Sequence, residues 1–118
     1  MDTERELLKG NMSTLVLAVL RDGPLHGYAI AREIERRSGS ILSCKEGTLY
    51  PLLHALEQER LVTGEWQRPV SGRERRVYEL TPAGQAALNE RARTWDRFAA
   101  AIERVIRGGA EDAAPALG

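Results

Sequence analysis

The segment RPVSGRERR, residues 68–76, sets Arg68, Arg73, Arg75 and Arg76 against one acid, Glu74. Guanidinium groups bunched on a loop that also carries Gly and Pro suit the holding of anionic oxygens, phosphate above all. Just upstream, EGTLYPLLHALEQERLV (46–62) reads as an amphipathic helix running into a strand. At 100° per residue Leu49, Leu52, Leu53 and Leu56 share one side, the spacing of a core-facing stripe. The opposite side holds Gly47, Pro51, His54 and Gln58, flanked by Thr48, Tyr50 and Ala55, while Glu46, Glu57 and Glu59 lie nearer the apolar edge. That outward strip is short-chained at its start, rich in donors and free of acid, so it can approach base-pair edges without repelling phosphates. Glycine costs roughly 1 kcal/mol and proline roughly 3 in a helix interior, which makes both poor choices for a helix that only fills a core. Taken alone, the strip is a solvated face with a proline-bent start. The arginine loop that follows it makes nucleic-acid contact the better reading.

Other chemistries find less support. Cys44 stands beside Lys45 near the helix start, a setting that favours thiolate and would permit a redox switch. A lone cysteine needs a partner molecule for that, so an inert thiol is the reading retained. His26 and His54 with one cysteine make no metal site by spacing, and His26, next to Gly27, suits a helix start or a packing position. No glycine-rich phosphate loop and no nucleophile with base and orienter is present, so the sequence points away from an enzyme and implies no cofactor.

The elements that must position these groups follow from periodicity. NMSTLVLAVLR (11–21) is apolar on most sides and ends at Asp22-Gly23-Pro24, the pattern of a deeply buried helix. HGYAIAREIERRSG predicts a short amphipathic helix with Ile30, Ala31 and Ile34 inward, ending at Ser38-Gly39. Two starts are open to the next helix. Ser43 with Glu46 has capping-box spacing, which places Pro51 in a bend, whereas a Thr48 cap leaves Pro51 in the first turn. LVTGEW and RRVYEL then predict an antiparallel hairpin with a long tip around Ser71-Gly72. TPAG restarts a helix with Thr81 as cap and Pro82 at its first position. From there Leu88, Ala92, Trp95, Ala99, Ile102 and Ile106 recur in steps of 4-3-4-3-4, a heptad seam widened by Phe98 and Val105.

The 118 residues suit one domain with an appended helix, and a shared core in an oligomer would help a chain of this size. Lys+Arg and Asp+Glu are both 17, twelve of each in residues 1–80 and five of each in 81–118, so bulk charge identifies no partner. The charged start, MDTERELLKG, is unlike a signal peptide, no apolar run approaches a membrane span, and one cysteine fits a reducing compartment. A soluble cytoplasmic protein is expected.

Four stretches, LLKGNMSTLVLAVLRDGPLHGYAIAREIERRSG, EGTLYPLLHALEQERLV, EW and GRERRVYELTPAGQAAL, together resemble the PadR family of bacterial transcriptional regulators, over roughly residues 7–107. The order HGY, GTLYP–L–LE, GR–R–Y–LT–G is specific in combination, whereas each motif alone is weak. The resemblance implies a mainly α chain with a small β-hairpin: a winged helix-turn-helix over 7–80, a C-terminal dimerisation helix over 81–107 and a tail over 108–118. It implies a homodimer, usually a repressor, on double-stranded DNA with an inverted-repeat operator. Matched by position, Thr48, Tyr50 and Pro51 fall in the reading helix, Lys45 at its threshold and His54 a turn later, with Arg73 and Arg75 in the wing; Arg76 joins the DNA-contact candidates from the basic run alone. Two roles stay open for Tyr50: a core ring with a working hydroxyl, or a side chain wholly at the DNA. Arg76 stands where wing passes into strand. Two positions depart from the pattern, Glu74 inside a run that is more often all basic and Val77 where an aromatic is common. The long-helix seam, Leu88, Ala92, Trp95, Ala99, Ile102 and Ile106, becomes the dimer interface. Some short members bind flat aromatic drugs between paired tryptophans, so Trp95 and Phe98 are candidates for a small aromatic effector, against a plain packing role. The rival from another class is a winged-helix protein-interaction module without specific DNA binding.

Overall fold

A computed structural model describes residues 3–69 and 72–108, with the side chains of 3–7 and 9 left aside. The element order is α1 (Thr3–Leu20), β1 (Leu25–His26), α2 (Gly27–Arg37), α3 (Glu46–Gln58), β2 (Val62–Gln67), β3 (Arg75–Leu80) and α4 (Pro82–Ile106). The expected tip at Ser71 and all of the expected tail except Gly108 lie outside the described residues. The chain divides between Leu88 and Asn89 into two compact units, with α4 running through the division. No helix among the described residues is long and apolar enough to cross a membrane.

α1 is buried on most sides because it is apolar on most sides: Met12, Val16, Leu17, Val19 and Leu20 all enter the core. It starts eight residues before the expected position 11, since the charged opening continues the same helix and brings Leu8 to the core edge. Gly23 ends the following turn at φ +145°, a conformation L side chains rarely adopt. α2 buries Ile30 and Ile34, as its spacing predicts. Its outer face is tied down by charge. Arg37 reaches Asp22 at 2.7 Å and Glu33 at 2.8 Å, and Arg36 reaches Glu33 at 2.7 Å. Hydrogen bonds from both guanidinium groups pull the Glu33 carboxyl down to about 2.

The predicted hairpin is present, but it belongs to a three-stranded antiparallel sheet ordered β1-β3-β2. The expected helix start at His26 is present, but a strand in front of it was not expected. Leu25 and His26 pair with Tyr78 and Val77, and His26 closes β1 and caps α2 at once. Two residues carry no readable period, which is why β1 escapes a pattern search. In the hairpin Val62 faces Leu80, Gly64 faces Tyr78 and Trp66 faces Arg76. By the period-2 rule these six share one side, and the buried members Val62 and Tyr78 identify it as the inner one.

The TPAG motif locks the start of α4. The Thr81 hydroxyl accepts the Gly84 N–H at 3.0 Å and donates to the Arg60 carbonyl at 2.7 Å, while the Thr81 N–H donates to the Leu61 carbonyl. A Cβ at Gly84 would lie 2.0 Å from the Leu61 oxygen, so only glycine fits. Leu88, the first residue of the predicted seam, is 2 % exposed and part of this core. Its side chain is therefore not available to a partner, and any intersubunit seam begins beyond it.

Candidate nucleic-acid interface

α3 begins at neither expected cap. Lys45 is the N-cap in extended backbone, with no side-chain cap, and its carbonyl receives the Thr48 and Leu49 N–H groups at 3.0 Å each. Pro51 is then the sixth helical residue, and its missing N–H leaves the Gly47 carbonyl without the usual donor four residues on. Leu49, Leu53 and Leu56 are buried and Leu52 packs against them, so the core face matches the wheel. Lys45, Thr48, Pro51, His54 and Gln58 are all exposed. The amide Nε2 of Gln58 and Nε2 of His54 are 3.2 Å apart, linking two members of the outer strip. A Cβ on Gly47 would meet nothing within 4 Å. Glycine is thus not needed there for packing within the chain.

Tyr50 takes neither of its two roles cleanly. Its ring covers Gly27, where a Cβ would sit 2.7 Å from Cε1 and Oη, yet the side chain stays 42 % exposed. The HGY motif is what makes this seat. His26 Nδ1 accepts the Ala29 N–H at 3.4 Å as the α2 cap, and Gly27 leaves room for the Tyr50 ring. Tyr28 stands outward, its ring parallel to His26 with centroids 6.5 Å apart and the Arg32 guanidinium 5.6 Å from its centroid. Burial, and then the nearby positive charge of Arg75, hold the His26 imidazole below its usual 6.5.

In the wing the arginines separate into three kinds. Arg73 and Arg75 are exposed. Arg68 is paired with Glu74 at 2.6 Å, so the acid that interrupts the basic run is matched by a cation from the other arm. Arg76 does not join the outward set. It lies on the inner face of β3, half-buried, ion-paired with Glu57 of α3 and over the rings of Trp66 and Tyr78. Its guanidinium is committed within the chain, a correction to its placement among the DNA contacts. Val77, in the position where an aromatic was expected, is half-buried opposite His26.

The start of α2, the outer side of α3 and the wing enclose an open cleft of about 1170 Å³, lined among others by Tyr28, Tyr50, His54, Trp66, Arg73 and Arg75. Rings and guanidinium groups dominate its rim, although Glu46, Glu57 and Glu74 also reach it. Sequence reasoning missed Tyr28 and Trp66. Trp66 was legible as the residue opposite Arg76 on the inner hairpin face, but its 64 % exposure was not.

Cys44 lies in the loop before α3, not in the helix. Its Sγ is 3.6 Å from the Met12 sulfur and burial pushes the thiol above its ordinary value. The helix-start effect that would favour thiolate is overruled by desolvation, and the inert thiol remains. Among the described residues no group of three His, Cys, Asp or Glu side chains could hold a metal ion. On α4, Trp95 and Phe98 rings are 6.1 Å apart and tilted by 50°, both well exposed, with Ala92 and Ala99 half-buried beside them.

The profile of the family described as "Transcriptional regulator PadR-like family" matches residues 16–90. The chain is 39% identical over 105 residues to the transcriptional regulator Rv3488 of Mycobacterium tuberculosis, covering 89% of this chain and 91% of that one. Among solved structures it is similar to a PadR family transcriptional regulator from Eggerthella lenta, with a TM-score of 0.75, 30% identity and 86% of each chain covered. It is also similar to Bacillus subtilis PadR in complex with operator DNA, with a TM-score of 0.61 and 29% identity over 67% of this chain and 45% of that one. Cap, wing and reading-helix motifs fall inside the matched span, and these relatives are regulators of transcription rather than enzymes. The chain belongs to the PadR-like family of transcriptional regulators.

Proposed function

We propose that this chain is a sequence-specific DNA-binding repressor, acting as a homodimer on its own or a neighbouring gene. The observation that carries the reading is the outer strip of α3: uncrowded at Gly47, free of acid from Gly47 through Pro51 and His54 to Gln58, and set beside the exposed wing arginines Arg73 and Arg75. The operator complex of the Bacillus subtilis relative supports the same use of the fold. Thr48, Tyr50 and His54 approach base edges, Pro51 and Gly47 let the helix come close, and Lys45 meets phosphate. Arg73 and Arg75 hold backbone or a narrow minor groove. Two copies joined through Ala92, Trp95, Ala99, Ile102 and Ile106 present two reading helices to an inverted repeat, with half-sites about 10 bp apart or somewhat more.

The test compares the DNA upstream of the chain's own gene with random duplex across a salt series. Tyr50→Ala and His54→Ala weaken specific binding by about 1–3 kcal/mol and more than non-specific binding. Arg73→Ala and Arg75→Ala weaken both and lower the salt slope by about 1 each. No preference of the purified dimer for that DNA at moderate salt would sink the repressor reading and favour the protein-interaction module.

A second reading concerns relief of repression by a small planar aromatic ligand. It rests on the paired exposed rings of Trp95 and Phe98 beside the small Ala92 and Ala99. Planar aromatic cations or phenolics then quench Trp95 fluorescence and release DNA. A panel without quenching leaves Trp95 as a packing residue of the dimer.

A further inference from the structure

Residues 57, 64, 66, 76 and 78 form a single construction that the DNA contacts do not use. Glu57 sits in the last turn of α3, on the flank between the buried leucines and the outward strip. Arg76 extends from β3 to meet it, and both side chains are about three-quarters removed from solvent, at 28% and 26% exposure. The same guanidinium lies 5.6 Å from the Trp66 ring centroid and 5.9 Å from that of Tyr78, so rings of both hairpin strands hold it in place. Gly64 completes the seat. A Cβ there would lie 2.7 Å from Nε and 2.9 Å from the terminal NH2 nitrogen of Arg76, so the guanidinium lies over the bare backbone of β2.

We propose that Glu57 and Arg76 act as a strut that fixes the wing against the reading helix, making them positioning residues for DNA recognition rather than DNA contacts. This rests on the DNA-binding reading above. The physical case is one of leverage. β2 and β3 leave the core at Val62 and Tyr78, and the strand positions beyond Trp66 and Arg76 are exposed. A two-stranded ribbon has little stiffness of its own, and its tip arginines serve only where the ribbon holds them. The strut joins the ribbon to α3 at the last point before it projects. A carboxylate with a planar five-donor cation suits this work, because the fork fixes direction as well as distance. The rings then remove the rotamer freedom that a long arginine would otherwise keep. Trp66 gains a fixed place at the cleft rim as a consequence.

The discriminating variant is Glu57→Gln, because positioning and simple electrostatics predict opposite signs. Removing an acid beside a DNA site tightens binding to every duplex if charge alone matters. If the strut matters, operator affinity falls about tenfold, as for the loss of one good contact, and the salt slope becomes shallower. Gly64→Ala supplies the same displacement of Arg76 with no change of charge, and the flexible end of Arg76 moves before the fold does. Arg76→Lys keeps the charge and loses the fork, so it behaves like Glu57→Gln. In an Arg73→Ala, Arg75→Ala background all three lose their effect on DNA, since the strut works through the wing. Amide hydrogen exchange of residues 62–80 in the DNA-free full chain reads the strut directly: it speeds up in Glu57→Gln while the α1 core stays protected. Unchanged exchange in the hairpin, or operator binding that tightens in Glu57→Gln, overturns the proposal. Should the native protein show no operator preference at all, the functional reading falls, and the exchange measurement alone then decides whether the strut exists.

Discussion

α3 and α4 are both amphipathic by pattern, yet one is finished by its own chain and the other is not. α3 spends its leucines at 49, 53 and 56 inside the core, and what remains outside is polar, small or aromatic with a hydroxyl. Among the described residues of α4 only Gly84 and Leu88 are buried. Trp95, Phe98, Ile102, Val105 and Ile106 remain 42–81% exposed along one continuous stripe. In the proposed dimer this exposed stripe is the surface that a second copy covers. The heptad spacing suits the proposed cover, a second helix at close to parallel or antiparallel angle. The comparison teaches that amphipathicity locates a face without saying whose atoms bury it.

The largest effect should come from breaking the unfinished helix. Ile102→Glu places a charge at the middle of the proposed seam, and burying it unpaired is too costly for the interface to survive. Sedimentation should show a monomer, and affinity for a two-half-site operator should fall by about two orders of magnitude, the share that linkage of two reading helices contributes. Affinity for random duplex should drop far less. A dimer that persists with full operator affinity would remove α4 as the interface.

The finished unit has its own breaking point, with a smaller effect. Gly84→Ala drives a Cβ into the Leu61 backbone carbonyl, and neither the Cβ nor the carbonyl can rotate away. Overpacking of that kind costs up to about 3 kcal/mol, offset by about 1 kcal/mol of helix propensity, so a net loss of about 2 kcal/mol is expected. Urea unfolding at fixed protein concentration checks it, with an unchanged m-value. The same substitution at Gly47, where the chain leaves open space, should cost nothing in stability and reduce operator binding instead.

These two glycines also show what the sequence could and could not disclose. Long-period features were legible: the α2 and α3 core faces, the hairpin, the Thr81-Pro82 start of α4 and the seam spacing all follow from residue type and interval. The start of α3 was not, because Ser43 and Thr48 both have capping chemistry and the backbone uses neither, closing on the Lys45 carbonyl. β1 was hidden by its length of two residues. Among the site residues, Tyr50, His54, Arg73, Arg75 and Arg76 all line one cleft, but Arg76 is held there by Glu57, and Leu88 turns into the core. A guanidinium in a basic run and a leucine on a heptad look alike in sequence whether they meet solvent or a neighbour. Only the Glu57 carboxylate and the Gly64 gap, nineteen and twelve positions from Arg76, decide its case.

The smallest predicted effect concerns the helix start that seats Tyr50. His26 caps α2 through Nδ1 acting as acceptor, a role only the neutral ring can play with that nitrogen. Burial and the charge of Arg75 lower its folded value below the 6.5 of the unfolded chain. Between those two values the unfolded state binds more protons than the folded one, so stability rises with pH there. The contribution is therefore complete above about 6.5, is lost as pH falls through it, and levels off below the folded value. His26→Asn keeps a capping oxygen without a titrating ring. Denaturation midpoints at pH 7.5 and pH 5 should differ less in that variant than in the native chain, the difference isolating His26 from every other group. An equal pH dependence in the two proteins would mean that the 3.4 Å contact does not hold the helix start, and that Gly27 alone seats Tyr50.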